Sequence, residues 1–258
     1  MRIYIPTRGR TFNQETLKHF PKEMKKEVVL VVDEDEKDLY TQHDTPKMVV
    51  PSSIKGISPK RKYIVDNTDD PRIVMLDDDL RFYIRKSPTD WHLRYLDTEE
   101  YGALFGLLDE WMDQGYAHCG ISAREGNNRV EALRVRNTRY MRVLAYDLDR
   151  FPKDIEWART EIMEDFDIAL QLLRRGKACS VSYYYAQGQK TSNASGGCSE
   201  WRTMKVQSAG AEKLATLHPT CVKVVEKVTK TAWDGELRKD VRVEWKKAFK
   251  EGLENASN

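Results

Sequence analysis

The sequence predicts an α/β fold: a mostly parallel central sheet flanked by helices, with an elaborated C-terminal part. Three observations carry this. The first eighty residues alternate short apolar runs with helical patterns. The apolar runs are β-branched and show no alternating polar face, as strands covered on both sides require. At 258 residues the chain can bury one large core but is short for two independent ones.

The elements follow in order. "RIYI" (Arg2 to Ile5) is a strand, and an amphipathic stretch follows from Asn13 to Phe20. "VVLVV" (Val28 to Val32) and "MVV" (Met48 to Val50) are strands, Pro59 to Asp66 is a helix, and "IVML" (Ile73 to Leu76) is the fourth strand. A long helix is expected from Thr98 to Gln114, capped by Thr98, with Leu104, Leu107, Leu108 and Trp111 on one face and Gly115 as its stop. "YAHCGIS" and "RVLAYDL" read as strands, "EDFDIALQLLRRGK" as a helix ending at Gly176, and "CSVSYYYA" as a returning strand. Residues 187–203, rich in Gly, Ser and small polar residues, are expected to be a mobile loop. A helix from Met204 to Leu217 and a basic segment close the chain. The organisation expected is one domain over 1–258: a nucleotide-binding half (1–80), an acceptor half (81–203) and a C-terminal extension (204–258).

Composition excludes several classes. The net charge of +2 marks neither a strong polyanion binder nor an acidic tail protein. Cys119, Cys179, Cys198 and Cys221 are widely spaced without a C-x-x-C pair, which argues against a zinc site or a disulfide framework. Neither a leader nor a membrane-length apolar run is visible, so a soluble, cytoplasmic protein is expected. The oligomeric state is not legible.

The chemistry concentrates in three segments. "IVMLDDDL" ends a buried strand in three aspartates, a knot of like charge that calls for something positive. Ligands bind beyond the carboxyl ends of strands in such sheets. With an extended backbone, Asp77 and Asp79 project to one side as oxygen ligands for Mg²⁺ or Mn²⁺, and Asp78 turns away. The plain alternative is a solvated acidic turn. "PTRGR" leaves the first strand with Pro6, Thr7, Arg8, Gly9 and Arg10, where backbone N–H groups and guanidinium forks can meet phosphate oxygens; two ordinary surface arginines are the alternative. "SPKRKYIVDN" puts Lys60, Arg61 and Lys62 at a helix start, where cations oppose the macrodipole unless an anion sits there. Together the segments describe a pocket for a nucleotide diphosphate, lined by Pro6, Thr7, Arg8, Arg10, Lys60, Arg61, Asp77 and Asp78.

These motifs resemble the nucleotide-sugar glycosyltransferases of the GT-A (Rossmann-like) fold, whose D-x-D motif ends a central strand and holds the metal; Asp77 and Asp79 match it. The resemblance implies a divalent cation, a nucleotide-sugar donor such as a UDP-sugar, and a general base at Asp165, or else Glu164, in "EDFDIALQLLRRGK". It also implies inversion at the anomeric carbon and a third metal ligand from the C-terminal region, for which His218 is the candidate; a helix-end histidine is the alternative. The string "IYIPTRGR", "SPKRKYIVDN", "MLDDDL", "ISAREGNNR", "EDFDIALQLLRRG" and "KTSNASGGCSEWRT" further resembles the TET-associated glycosyltransferases of bacteriophages, which glycosylate 5-hydroxymethylcytosine in DNA. That resemblance implies a DNA acceptor and the host cytoplasm.

Acceptor candidates follow. Arg81 in "RFYIRK", and the basic stretch "RVRNTRYMR", can neutralise phosphates while Phe82, Tyr83 or Tyr140 stack on a base. Arg124, Glu125 and Asn127 can reach the sugar or a flipped base, and Lys190, Ser195 and Arg202 can close over the donor. Two other functions stay open at this stage: sugar-phosphate nucleotidyl transfer, and a non-catalytic module that binds DNA or divalent cations.

Overall fold

The computed structural model describes residues 1–189, 203–228 and 237–256. Four strands open the chain: β1 (Arg2–Pro6), β2 (Val28–Asp33), β3 (Lys47–Val50) and β4 (Arg72–Leu76). They are parallel, in the order β3-β2-β1-β4. The short helix α1 (Glu15–His19) and the longer α2 (Ile57–Asp66) connect them. Next come β5 (Leu80–Arg85), β6 (Leu93–Tyr95), α3 (Thr98–Asp113), β7 (His118–Ala123), β8 (Arg134–Arg136), β9 (Val143–Asp147), α4 (Glu164–Leu173) and β10 (Cys179–Gln189). They extend the sheet as β4-β9-β7-β10-β5-β6, with β8 pairing β10. Beyond β4 only β7 and β10 pair in parallel. The result is an α/β fold with a Rossmann-like parallel first half.

Two apolar layers cover the sheet. On one face Leu104, Phe105, Leu108 and Trp111 of α3 pack with Phe20 and Phe82. On the other, Ile168, Leu172 and Leu173 of α4 pack with Tyr140, Tyr146 and Ile64. Each such side chain taken fully from water stabilises the fold by roughly 1.5–3 kcal/mol. The α3 start differs from expectation. Asp97, not Thr98, is the cap, and its N–H donates to Glu100 Oε2 at 2.8 Å, because the reciprocal box satisfies two otherwise unpaired groups.

Two further departures bear on function. Residues 187–189 belong to β10 rather than to a loop, since Gln187 and Gln189 pair with Phe82 and Leu80 of β5. The basic C-terminal segment is ordered as an antiparallel ribbon, β11 (Val222–Val228) with β12 (Leu237–Val243), followed by α6 (Trp245–Ala256). The ribbon packs on α5 (Met204–Leu217). Helix α6 lies so close to the end of α4 that a side chain at Gly252 would strike the Leu173 carbonyl.

Candidate active site

The carboxyl ends of β1, β2 and β4 meet the N-terminus of α4 at one edge of the sheet. The chain leaves its extended path after Asp77 and turns at Asp78 and Asp79. Thr16 of α1 pins this turn: its Oγ1 donates to the Asp77 carbonyl at 2.6 Å and accepts the Leu80 N–H at 2.8 Å. Asp78 is thereby buried, accepting from Thr7 Oγ1 at 2.6 Å and from Arg10 Nη1 at 2.5 Å. Arg10 also pairs with Asp79 at 2.9 Å. The structure thus corrects the grouping of Asp78 with donor contacts, because both its oxygens are taken inside the fold. Asp77 and Asp79 keep 29% and 20% of their side chains exposed.

The cations expected to meet phosphate meet the chain's own carboxylates. Lys60 pairs with Asp33 at 2.8 Å, and Arg8 with Asp33 and Asp35 at 2.5 and 3.0 Å. Arg61 is buried between Asp77, at 3.0 Å, and Glu164. One guanidinium therefore joins the strand-end aspartates to the acidic start of α4. Of these partners Asp33 escaped the sequence reading, although it ends "VVLVVD" just as Asp77 ends "IVMLD". Thr16 and Gln189, which donates to Asp79 Oδ1 at 2.8 Å, carried no sequence signal.

One shared cation does not offset this much burial. Desolvation pushes Glu164 up to about 7, with Arg61 opposing and Asp165 adding to the rise. It pushes Asp77 up to about 6, against Arg61. Asp165 differs: its Oδ1 accepts the Phe166 N–H at 2.9 Å, and it has no ion pair among the described residues. Two further guanidinium groups act electrostatically on this cluster. Asp165 draws on Arg139, and Asp77 on Arg142. Neither arginine has a carboxylate within ion-pair distance among the described residues. The sequence reading assigns both to a nucleic-acid-facing stretch; the structure sets them beside the acidic cluster. Arg142 and Met163, the residue before Glu164, hold φ of 64° and 61°, left-handed conformations costly for side-chain-bearing residues and concentrated at functional sites.

A divalent cation fits the donor set. Asp77 and Asp79 are hard oxygen donors, but only Asp77 Oδ2 has no partner among the described residues; Asp79 Oδ1 accepts from Gln189 and Oδ2 meets Arg10 at 2.9 Å, so Asp79 becomes a ligand by exchanging one of these contacts, and a donor's phosphates can supply the remaining ligands. No group of three or more His, Cys, Asp or Glu suited to a metal occurs among the described residues. His218 is corrected as the third ligand. Its Nε2 meets Asp167 Oδ1 at 2.7 Å and its Nδ1 lies 3.4 Å from Arg174, so both ring nitrogens serve a buried ion-pair network.

Of the acceptor candidates, Arg81 and Arg124 come together over the stacked rings of Tyr95 and Tyr83. Asn127 is fully buried, donating to Ser122 and to the Tyr183 carbonyl and accepting from Arg85, so it holds the β7 turn rather than a substrate. Phe82 and Tyr140 are core residues and cannot stack on a base, and Tyr83 is buried against Tyr95. Arg81 pairs with Glu15 at 2.5 Å. Arg124 lies over the Tyr83 ring, and Glu125 is exposed. Lys190, Ser195, Cys198 and Arg202 lie outside the described residues.

Comparison with known proteins accords with this site. The family described as TET-associated glycosyltransferase matches residues 1–197. The "Beta-glucosyl-HMC-alpha-glucosyl-transferase" of Enterobacteria phage T2 is 24% identical over 230 residues, covering 83% of this chain and 80% of its own. The protein of the same name from Enterobacteria phage T6 is 25% identical over 231 residues, with the same coverage. Among solved structures, S. aureus TarS 1-349 in complex with UDP-GlcNAc aligns at a TM-score of 0.44 and 14% identity, over 83% of this chain and 67% of that one. The family match spans the β1 exit, the strand-end aspartates and the start of α4 alike: the chain belongs to the TET-associated glycosyltransferases and is a glycosyltransferase.

Proposed function

We propose that this glycosyltransferase moves a sugar from a nucleotide-diphosphate sugar, most simply a UDP-sugar, to a hydroxyl carried by 5-hydroxymethylcytosine in DNA. The observation that carries the reading is the Arg61 bridge, which holds the strand-end aspartates and the Glu164–Asp165 pair in one site. Asp77 and Asp79 would hold Mg²⁺ or Mn²⁺, which when bound supplies positive charge to the departing diphosphate. Arg142, whose carbonyl accepts the Asp77 N–H and which has no carboxylate partner among the described residues, supplies a guanidinium to the same oxygens. Asp165 takes the proton of the acceptor hydroxyl as that oxygen bonds the anomeric carbon and the diphosphate departs, and with no ion pair among the described residues it has no bridge to break first. Arg61 fixes the distance between the two halves of the reaction. Among the functions left open by the sequence, family membership favours glycosyl transfer over nucleotidyl transfer and over a non-catalytic module.

The relatives' names favour a second reading. Both are named as alpha-glucosyl transferases acting on beta-glucosyl-HMC, so the acceptor hydroxyl can belong to a sugar already on the base. An α-configured donor would then react with retention, leaving Asp165 no role as base on the opposite face. The test is incubation with a UDP-sugar and DNA carrying cytosine, hydroxymethylcytosine or its β-glucoside, followed by mass spectrometry of nucleosides and proton NMR of the new anomeric centre. A β-linked product on hydroxymethylcytosine supports the first reading. An α-linked product found only on the glucosylated base replaces it with the second. Product on none of the three overturns both.

A further inference from the structure

The ribbon β11–β12 and helix α6 lie beyond the residues matched by the family. Their register places Lys223 directly opposite Arg242. Directly opposed residues share a face of the ribbon, and like charges so placed destabilise it. Both are exposed, and neither has an ion-pair partner among the described residues. Further along this face, Asp240 is taken up by Lys227 at 2.9 Å and Arg238 at 3.5 Å, leaving no acid paired with Lys223 or Arg242 among the described residues.

The cationic face runs toward the proposed base. Arg139 is within electrostatic reach of both Asp240 and Asp165, and its guanidinium stands 4.8 Å from the Phe166 ring centre. Phe166 in turn meets the edge of Trp245, the first residue of α6, at 5.3 Å. Lys246 follows, exposed and without an acidic partner among the described residues. A cavity of about 300 Å³ opens between residues 137–138 and the α6 start, lined by Asn137, Thr138, Glu244, Trp245, Lys246 and Lys247. Glu244 is the one acid in it, and Lys247 pairs with it at 3.8 Å.

We propose that the outer face of the β11–β12 ribbon and the first turn of α6 dock the phosphate backbone of the acceptor nucleic acid, with Lys223, Arg242 and Lys246 as its contacts and Arg139 nearest Asp165. The inference rests on the reading that the acceptor is DNA. Exposed cations held opposite one another, without an acid among the described residues, suit a polyanion more than a small ligand, and an aromatic side chain at the border suits an exposed base. The modest overall charge does not oppose this, because the ribbon carries Lys223, Lys227, Arg238, Lys239 and Arg242 against Glu226 and Asp240, a local excess of positive charge.

The test is fluorescence anisotropy of labelled hydroxymethylated and unmodified duplexes across salt concentrations, using the full chain and its Lys223→Glu/Arg242→Glu and Lys246→Glu variants. The double variant should lose at least about tenfold in DNA affinity, with the salt slope lowered by about one per contact removed. UDP affinity by calorimetry and the unfolding midpoint should stay as in the parent. Lys223→Gln/Arg242→Gln should fall between parent and double variant, and it replaces the double variant if that one folds poorly. DNA affinity and salt slope equal to the parent's in all variants overturn this docking face while leaving the acceptor reading intact. A parent chain that neither binds nor modifies DNA overturns the acceptor reading itself, and this inference with it.

Discussion

Asp165 sits among carboxylates that are held by guanidinium groups, yet has no ion pair of its own among the described residues. A carboxylate so placed can accept a proton without first breaking a bridge. Asp165→Asn keeps its shape and its position at the α4 start but removes the proposed base. Turnover is expected to fall by about 10²–10⁴-fold with donor affinity unchanged, as read from steady-state rates and UDP calorimetry. Near-normal turnover would move the reaction to the retaining reading. Glu164 makes a separate, pH-dependent contribution. Burial raises it from 4.5 to about 7, so the folded chain holds this proton more tightly than the unfolded one. Its contribution to stability is complete below pH 4.5 and is lost as pH rises through about 7. Asp77 acts in the same direction from 3.8 to about 6. Glu164→Gln is therefore expected to flatten the decline in urea midpoint across this window in ligand-free protein, checked by denaturation at several pH values.

Helix α4 carries the proposed base at one end and is clamped at the other. Gly176, with φ of 71°, ends the turn that follows it, and α6 crosses there with Gly252 against the Leu173 and Gly176 backbone. An added Cβ at Gly252 would come within 2.6 Å of the Gly176 nitrogen as well as striking the carbonyl. Backbone cannot yield as a side chain can, so Gly252→Ala is expected to lower stability by about 1–3 kcal/mol, measured by urea unfolding. Asp167, buried one turn along α4, ties Arg159 and His218 to the same helix. His218 is thus a brace for α4 rather than a ligand. Its sequence context, a lone histidine before a proline, fits either role, and only the position of Asp167 separates them.

Across the whole molecule, the region matched by the family stops before the elements that complete its core. Ala211, Leu214, Val222, Val241 and Ala248 belong to the same apolar cluster as α4, β4 and β9. A chain ending at Thr203 would expose that face of α4. It is expected to lose its cooperative unfolding transition, as followed by circular dichroism. A truncated chain that melted sharply near the parent's midpoint would show the C-terminal part to be an accessory. Throughout the described residues, no helix is long and apolar enough to cross a membrane.

The sequence by itself determined the first four strands, the α/β class and the location of the chemistry at strand ends. These depend on apolar runs and turn residues within a few positions of each other, which local sterics and burial dictate. It also marked Asp77 and Asp79, as like charge at the end of a buried strand, and Arg61, as a cation at a helix start, because such charge is visible without coordinates; Asp165 was marked by the resemblance of "EDFDIALQLLRRGK" to the GT-A glycosyltransferases. Only the tertiary structure decided which charge meets which. Arg61 is 103 residues from Glu164, and Gln189 is 110 from Asp79. The inward turn of Asp78, the burial of Asn127, Phe82 and Tyr140, and the facing cations of the ribbon likewise follow from strand order and register. Pairings across such separations are set by how the sheet closes and what it buries, and no local pattern in the chain encodes them.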